Sequence, residues 1–183
     1  MKREQLEVAV IAATEIIRQR EVLIIGSQAI LGSYPEDQLP ERATMSNEVD
    51  IALLGDDASE TLADLIDGQL GEWSDFDRDH GFYVQGVSVR TAYLPDGWQE
   101  RLVRVEPRGH SDSVGLCLEP HDLCAAKLAR LYQKDCEFVE ALIDAGLVAP
   151  SVIRARIGQI TDSRFEPERK KVATRWVKAR ESR

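Results

Sequence analysis

Cysteine is scarce in this chain, and the cysteines present are not arranged as a structural framework. Cys117, Cys124 and Cys136 are an odd number, with no CxxC pair and no histidine cluster close to them. Disulfide-held domains need paired cysteines, and structural zinc sites need closely spaced cysteine and histidine ligands. We therefore expect reduced, buried thiols, and neither a disulfide framework nor a zinc site.

Long apolar runs are also lacking. No stretch approaches the roughly 20 apolar residues that a membrane-spanning helix requires. Near the amino terminus the apolar positions recur at helical spacing between charged residues, which is typical of an amphipathic helix and not of a secretory leader. These positions are Leu6, Val10, Ala13 and Ile17. The sequence therefore predicts a cytoplasmic protein with no membrane partner.

Positive charge is in deficit. The chain has 23 Lys and Arg against 32 Asp and Glu, a net charge of −9, which argues against a broad nucleic-acid-binding surface. The carboxyl-terminal segment from Arg164 departs from this balance, because its basic side chains clearly outnumber Glu166, Glu168 and Glu181. Such a segment could guide an RNA acceptor through phosphate contacts, form an ordinary solvated helix, or balance the acidic body in a dimer.

The apolar pattern predicts an α+β fold in this chain of 183 residues. We expect a core over residues 1–119, and a helical region over 120–183 that packs on the core and completes the site. Asp56 and Asp57 can cap a helix whose apolar stripe is Leu62, Leu65, Ile66 and Leu70. Helices are predicted over 3–19, 28–31, 58–71, 120–145, 150–159 and 166–181. Strands are predicted over 22–26, 48–54, 82–94 (bent at Gly86), 101–105 and 114–118. Loops are predicted over 33–46 and around FDRDHG.

Two carboxylates share one face of the strand predicted over 48–54. Glu48 and Asp50 are two positions apart, so they point to the same side, while Val49 and Ile51 point to the other. Neighbouring carboxylates repel each other, and acids at the mouth of a buried strand need a partner. Mg²⁺ favours one or two carboxylates together with substrate phosphates. Glu48 and Asp50 are therefore predicted to bind Mg²⁺, with Mn²⁺ as an alternative.

A phosphate site is predicted just before this strand. Gly26 and Ser27 end a buried strand and begin a short helix. Glycine leaves room for phosphate oxygens beside the backbone, and a helix start offers unpaired amide hydrogens to an anion. Together with the acidic pair, this turn predicts a site for a metal-bound nucleotide.

These residues resemble the signature of the minimal nucleotidyltransferase fold, hG[G/S] followed after a spacer by [D/E]h[D/E]h. The sequence IGSQAILG…NEVDI resembles bacterial AbiEii-type toxins and their uncharacterised nucleotidyltransferase-like relatives more than it resembles polymerases. The resemblance implies a mixed β-sheet flanked by helices, with the NTP triphosphate on Gly26–Ser27 and Mg²⁺ on the catalytic pair Glu48 and Asp50. It implies in-line attack on the α-phosphorus with pyrophosphate as the leaving group. An RNA (tRNA-like) or protein acceptor and, for a toxin, a cognate antitoxin are the partners that it suggests.

The chain departs from this family pattern in two ways. The spacer between Ser27 and Glu48 is 20 residues, longer than in compact members. Many active members also carry a third carboxylate on a later strand, whereas the expected counterpart here, VSVRTAYL, has none. Asp77 or Asp79 could substitute, although their segment reads more simply as a polar turn.

A third group of candidates lies in the helix predicted over 120–145. Asp135 falls in the middle of an apolar stripe formed by Cys124, Leu128, Leu131, Phe138 and Leu142. A buried carboxylate needs a cation, a metal or backbone donors beside it. The resemblance assigns a triphosphate clamp to Lys127, an assisting role to Lys134, and a catalytic or lysine-orienting role to Asp135. The alternative is that Asp135 pairs with an arginine across the core.

Three functions stay open at this point: an Mg²⁺-dependent nucleotidyltransferase, a degenerate member that binds nucleotide or a protein partner without turnover, and an interaction module with an acidic surface strand. Among the weaker candidates, the resemblance implies that Gly81, Tyr83 and Gln85 border the nucleotide or the acceptor, and Arg42 is within the loop that could reach phosphate. The three histidines, His80, His110 and His121, have no metal-like spacing.

Overall fold

The computed structural model describes residues 1–53 and 59–181 of the chain. The helices are α1 (Arg3–Ile17), α2 (Glu41–Thr44), α3 (Ser59–Leu70), α4 (Asp75–His80), α5 (Pro120–Arg130), α6 (Gln133–Asp144), α7 (Pro150–Gly158) and α8 (Pro167–Lys178). The strands are β1 (Glu21–Ile24), β2 (Glu48–Ala52), β3 (Tyr83–Gly86), β4 (Val103–Val105) and β5 (Val114–Cys117). Short 3₁₀ helices cover Ser27–Gly32, Glu36–Gln38, Val89–Thr91 and Trp98–Arg101.

The five strands form one mixed sheet in the order β3-β2-β1-β5-β4. β1 is antiparallel to β2 and parallel to β5, β2 is parallel to β3, and β4 is antiparallel to β5. β1 is central, and Val22, Leu23 and Ile24 on it are fully buried, as expected for a strand covered on both faces. The predicted α+β class, a mixed sheet flanked by helices, is confirmed.

The core is built as the apolar periodicity predicts. Leu6, Val10, Ala13 and Ile17 of α1 are all buried, and α1 packs along the sheet. On α3, Ile66 and Leu70 are buried while Leu65 is exposed, so the predicted stripe is narrower than expected. The predicted cap at Asp56 and Asp57 lies outside the described residues. None of the described helices combines the length and apolar composition needed to cross a bilayer.

The single helix predicted over 120–145 is wrong, because the chain breaks between α5 and α6. Leu131 has φ 57, in the left-handed region, and its N–H donates to the carbonyl of Lys127 at 3.3 Å. An L-residue in this conformation ends an α-helix, and Tyr132, in extended conformation, begins the next one. The stripe residues on both sides of the break remain buried. Apolar spacing therefore continues across the break and does not reveal it.

The strand predicted over 82–94 is also wrong beyond Gly86. An added Cβ on Gly86 would stand 2.3 Å from the backbone oxygen of Ala63, so α3 crosses this point in close contact. The chain then turns into a 3₁₀ helix over Val89–Thr91, which begins with the Ser88 hydroxyl accepting from the N–H of Arg90 at 3.2 Å. The sheet therefore ends at Gly86.

Two segments predicted as loops contain short helices. The segment around FDRDHG forms α4, because the Ser74 hydroxyl accepts from the N–H of Asp77 at 3.1 Å and caps it. Residues 33–46 contain α2 and the 3₁₀ helix Glu36–Gln38. The carboxyl-terminal helices agree closely with prediction, since Pro150 and Pro167 stand in the first turns of α7 and α8.

The close approach at Gly86 predicts a specific stability effect. Gly86→Ala should lower the free energy of unfolding by about 2 kcal/mol, because the new methyl group overlaps the backbone of α3. Gly68→Ala, on α3 itself, is the matched control: no atom lies within 4 Å of its added Cβ, so stability should rise by roughly 0.5–1 kcal/mol. Denaturant unfolding of both variants measures this. Equal effects of the two substitutions would contradict the packing described here.

Candidate active site

A cleft of about 370 Å³ opens where β1 and β2 meet α5 and α6. Seven residues singled out from the sequence as nucleotide, metal or catalytic candidates lie on its wall, whereas Gly81 and Tyr83 do not line it. The seven are Gly26, Ser27, Glu48, Asp50, Lys127, Lys134 and Asp135. The sheet therefore contributes the carboxylates of Glu48 and Asp50 to the cleft, and the helices contribute the ammonium groups of Lys127 and Lys134.

The contact between Gly26 and Asp50 fixes the floor of the cleft. An added Cβ at residue 26 would stand 1.6 Å from Oδ2 of Asp50. Gly26 has φ −85, which any residue can adopt, so the requirement for glycine is steric and not conformational. The carboxylate of Asp50 occupies the space that a side chain at residue 26 would need.

The ionised form of the Asp50 carboxylate is destabilised by its surroundings. Its pKa is raised from the ordinary 3.8 to about 6, mainly by burial and then by the negative charge of Glu48, while the positive charge of Lys127 opposes both effects. Val49 and Ile51 are buried on the other side of the strand, so the two acids face the cleft together. Excess negative charge of this kind favours a cation between the acids.

The oxygen donors suit a cation that arrives with its substrate. Among residues 1–53 and 59–181, no group of three or more His, Cys, Asp or Glu side chains is arranged to hold a metal ion alone. Glu48 and Asp50 supply two carboxylates, which is what Mg²⁺ commonly takes from a protein when nucleotide phosphates and water complete its shell. The residues present therefore fit a magnesium–nucleotide complex better than a permanently bound metal.

Ser27 begins the 3₁₀ helix that follows β1. The first backbone bond of this helix runs from the N–H of Ala29 to the carbonyl of Gly26 at 3.0 Å, so the amide hydrogens of Ser27 and Gln28 precede the first turn. The Ser27 hydroxyl accepts a hydrogen bond from Nζ of Lys127 at 3.0 Å. This turn and the lysine are therefore positioned to contact one anion.

Lys127 is a buried cation on α5. The residue is 6% exposed, its Nζ donates to Oδ1 of Asp135 at 3.1 Å, and Nζ lies 4.6 Å from the centre of the Phe138 ring. Burial lowers the pKa of the Lys127 ammonium, while the charge of Asp135 raises it. The lysine is thus held in one place by a carboxylate and an aromatic face before any ligand binds.

Asp135 is occupied on both oxygens. Arg130 donates from Nε to Oδ2 at 3.1 Å and from Nη2 to Oδ1 at 2.9 Å, and Lys127 also donates to Oδ1. The carboxylate is 1% exposed. These bonds favour the lysine-orienting role over a metal-binding one, and they include the arginine partner that the sequence left as the alternative.

Three residues of the cleft were missed or given little weight from the sequence: Arg42, Gln85 and Arg130. The guanidinium of Arg42 pairs with the carboxylate of Glu137 on α6. Gln85 is in register with Asp50 across the parallel pair β2–β3. Alternation along YVQG could have placed Gln85 beside the acids, but the distant partner of Arg42 leaves no sequence signal.

The expected substitutes for a third carboxylate do not reach the cleft wall. Asp77 accepts a hydrogen bond from the N–H of Trp73 at 3.1 Å, and Asp79 lies 3.8 Å from the guanidinium of Arg78. Gln85, an amide, stands beside Asp50 instead. In the described part of the cleft, Asp135 has both oxygens bonded to cationic side chains. Glu48 and Asp50 are therefore the two carboxylates that remain available there.

His121 has a structural role. Its Nδ1 lies 2.5 Å from Oε1 of Glu119, and its Nε2 accepts from the N–H of Ala149 at 3.1 Å. Glu119 in turn caps α5 by accepting from the N–H of Asp122 at 3.2 Å. The ring therefore joins the start of α5 to the start of α7 and leaves the cleft to other residues.

Comparison with known proteins gives one family. A family model described as "Nucleotidyltransferase of unknown function (DUF6036)" matches residues 4–181. No curated protein and no solved structure gives a significant match to the chain.

The raised pKa of Asp50 predicts a pH-dependent stability effect. The folded protein holds this proton more tightly than the unfolded chain, so ionisation destabilises the fold as pH rises from about 4 through about 6. Without divalent cations, Asp50→Asn should raise the free energy of unfolding at pH 8 by up to about 3 kcal/mol, and far less at pH 4. Asp64→Asn, on an exposed part of α3, is the control. A gain from Asp50→Asn that is the same at both pH values would contradict this electrostatic account.

Proposed function

The chain belongs to this family of nucleotidyltransferases of unknown function, and we propose that its cleft transfers a nucleotidyl group from a Mg²⁺-bound NTP to an acceptor hydroxyl. The observation that carries the proposal is the convergence of a carboxylate pair, a glycine–serine turn and a buried lysine on one cavity. Lys127 connects them, since its ammonium bonds Ser27 at 3.0 Å and its charge lowers the pKa of Asp50.

In this proposal the residues of the chain divide the work. Gly26 and Ser27 bind the triphosphate through backbone and hydroxyl groups, and Lys127 offsets negative charge on the leaving phosphates. Asp135 and Arg130 keep Lys127 in place, while Lys134 and Arg42 add positive charge at the wall of the cleft. Glu48 and Asp50 would hold Mg²⁺, or Mn²⁺, which supplies charge neutralisation at the α-phosphate.

The reaction is a displacement at phosphorus. The acceptor oxygen forms a bond to the α-phosphorus as the bond from that phosphorus to the bridging oxygen breaks, and pyrophosphate leaves with the bonding electrons. The acceptor hydroxyl loses its proton to solvent. In this reaction, catalysis comes from positioning the reactants and stabilising negative charge. The fold contributes to both by holding Lys127 in a fixed position.

The acceptor and the biological setting are also proposals. An RNA end, tRNA-like or other, or a protein hydroxyl suits the reaction, and a toxin of a toxin–antitoxin or phage-defence system with a cognate antitoxin suits the resemblance to AbiEii-type proteins. The cluster of basic residues in the carboxyl-terminal segment supports an RNA acceptor.

A second candidate function has one observation in its favour. Gln85 stands in register beside Asp50, where an amide contributes no negative charge, and Asp135 is already bound by Lys127 and Arg130. A cleft with two available carboxylates would suit a protein that binds a magnesium–nucleotide, or a partner protein, without turnover.

Labelling separates the two functions. The purified protein is incubated with α-labelled NTPs, Mg²⁺ and either total RNA or no added acceptor, alongside Glu48→Ala and Asp50→Asn variants. We expect label on RNA or on the protein itself with the wild type, and none with either variant. Tight Mg²⁺–NTP binding without label would support the degenerate binder. A folded wild-type protein that neither labels nor binds would contradict both functions.

The lysines of the cleft predict a graded effect on nucleotide binding. Lys127→Met should weaken binding of a non-hydrolysable Mg²⁺–NTP by about 10- to 100-fold, because a charge-assisted contact is lost while Met fills a similar volume. Lys134→Met is the matched control, since Lys134 is exposed at the wall of the same cleft and should cost only a few-fold.

Titration calorimetry with thermal melts of both variants measures these effects. Equal losses of nucleotide affinity from the two substitutions would contradict the proposed contact between Lys127 and the triphosphate.

A further inference from the structure

We infer that Glu137 competes with the nucleotide for Arg42: the terminal phosphate of a bound NTP replaces the carboxylate of Glu137 as the partner of the Arg42 guanidinium. Arg42 is thereby the residue that distinguishes a triphosphate from a nucleotide with fewer phosphates, and Glu137 is the positioning residue that opposes it. This inference rests on the proposed function, because it assigns phosphate recognition within the same cleft.

Arg42 lies on the phosphate-binding side of the cleft. It belongs to α2, which packs against α6 and against the 3₁₀ helix that begins at Ser27. Arg42 lines the cleft, and its guanidinium pairs with the carboxylate of Glu137 on α6. Gln85 of β3 lies on the other side of the acidic strand β2, because β2 separates β3 from β1 in the sheet. The cations and the turn at Ser27 are therefore grouped on one side of the acids.

The proposed reaction directs the terminal phosphate toward this side. The reacting α-phosphate is placed near the acids of β2, and Ser27 and Lys127 bind the phosphates that leave. The terminal phosphate is the group farthest along that series, so it approaches the wall formed by α2 and α6. Arg42 and Lys134 are cations of that wall, and the planar guanidinium of Arg42 matches the geometry of phosphate oxygens.

Two arginine–carboxylate pairs lie at the cleft, and they differ in the carboxylate. The side chain of Arg130 is 39% exposed and that of Arg42 is 37% exposed, so both guanidinium groups have similar access to solvent. The side chain of Asp135 is 1% exposed, whereas that of Glu137 is 41% exposed. Withdrawing Arg130 would deprive a buried carboxylate of a cation, which is costly. Withdrawing Arg42 leaves a carboxylate in contact with water, where an ion pair contributes little.

Glu137 also keeps a second partner when Arg42 leaves. Nε2 of Gln133, one turn earlier on α6, donates to Oε1 of Glu137 at 2.8 Å. The guanidinium of Arg42 pairs with the other oxygen, Oε2. Water can replace the guanidinium on this half-exposed carboxylate while the bond from Gln133 remains. The structure therefore provides Arg42 with a partner that is easily exchanged.

A terminal phosphate is a stronger partner for a guanidinium than a solvated carboxylate. The guanidinium can donate two parallel hydrogen bonds to phosphate oxygens, and a terminal phosphate carries more negative charge than a carboxylate. Glu137 therefore reduces the affinity of the cleft for every ligand that must recruit Arg42. A ligand with a terminal phosphate overcomes this competition, and a ligand that does not reach Arg42 is unaffected by it.

The backbone around Arg42 is anchored independently of the ion pair. Ala43 is buried, and Nε2 of the fully buried Gln28 donates to the carbonyl of Ser46 at 3.0 Å. The exchange therefore requires new contacts for the side chain of Arg42 and no movement of α2. Arg42 belongs to the 20-residue spacer, so the competition arises in the segment that is longer here than in compact members of the resembled fold.

The test is a double-mutant cycle on nucleotide affinity. Arg42→Gln, Glu137→Gln and the double variant are titrated by calorimetry with a non-hydrolysable Mg²⁺–NTP. Glu137→Gln should bind it about two- to fivefold more tightly than the wild type, because the competing carboxylate is lost. Arg42→Gln should bind it about tenfold more weakly, because a charge-assisted contact is lost. The double variant should match Arg42→Gln, since Glu137 acts only through Arg42.

Two controls accompany the cycle. Glu41→Gln removes one negative charge from an exposed residue of α2 next to Arg42, and its NTP affinity should stay within about twofold of the wild type. The NMP of the same base lacks the terminal phosphate, so all variants should bind it within about twofold of each other. Thermal melts of each variant establish that it is folded.

Three results would each overturn the assignment of Arg42 and Glu137. The first is an equal gain from Glu137→Gln with and without Arg42, which would indicate a general effect of charge. The second is an equal gain from Glu41→Gln and Glu137→Gln. The third is an equal effect of the substitutions on NTP and NMP affinity.

Failure of this inference differs from failure of the proposed function. Labelling of an acceptor together with unchanged affinities in the cycle would contradict the exchange at Arg42 and leave nucleotidyl transfer standing. The expected affinities without any labelling would contradict nucleotidyl transfer and leave the exchange standing. A folded wild-type protein that does not bind the NTP would contradict both.

Discussion

The ion-pair cluster of Lys127, Arg130 and Asp135 is the interaction on which the cleft depends. In a continuous helix, eight residues separate Lys127 from Asp135 by about 12 Å along the axis, and five residues place Arg130 and Asp135 on different sides. The break at Leu131 (φ 57) removes both obstacles and allows α6 to pack against α5. The end of α5 at Leu131 therefore allows the buried carboxylate of Asp135 to contact both Lys127 and Arg130.

The acidic side of the cleft has the opposite character. Asp135 has its cations, whereas burial and the charge of Glu48 raise the pKa of Asp50, and Lys127 only partly offsets them. A fold selected for stability alone would replace such a carboxylate, since an amide or an apolar side chain removes the repulsion. Unfavourable burial of negative charge at one end of a cavity, together with fixed cations at the other end, is typical of a site that binds a charged ligand.

The sequence predicted the sheet-borne half of the site well and the helical half only in outline. Glu48 and Asp50 on one strand face, and the turn at Gly26–Ser27, follow from period-two alternation and from glycine at a strand end. The break after Arg130 was not predictable, because leucine carries no preference for the left-handed region and the apolar stripe continues across it. The position of Arg130 depends on that break and the position of Gln85 on strand register, so no local sequence pattern reveals either of them.

The steric contact between residues 26 and 50 has a consequence for natural variation in the family. While residue 50 is an aspartate turned toward the turn, any larger residue at position 26 would collide with it at 1.6 Å. The two positions are therefore mutationally linked, and an intermediate with alanine at 26 beside an intact aspartate is the least accessible step. A homologue without the carboxylate at position 50 is free of this steric constraint, so larger residues at position 26 are expected only where the aspartate has been lost.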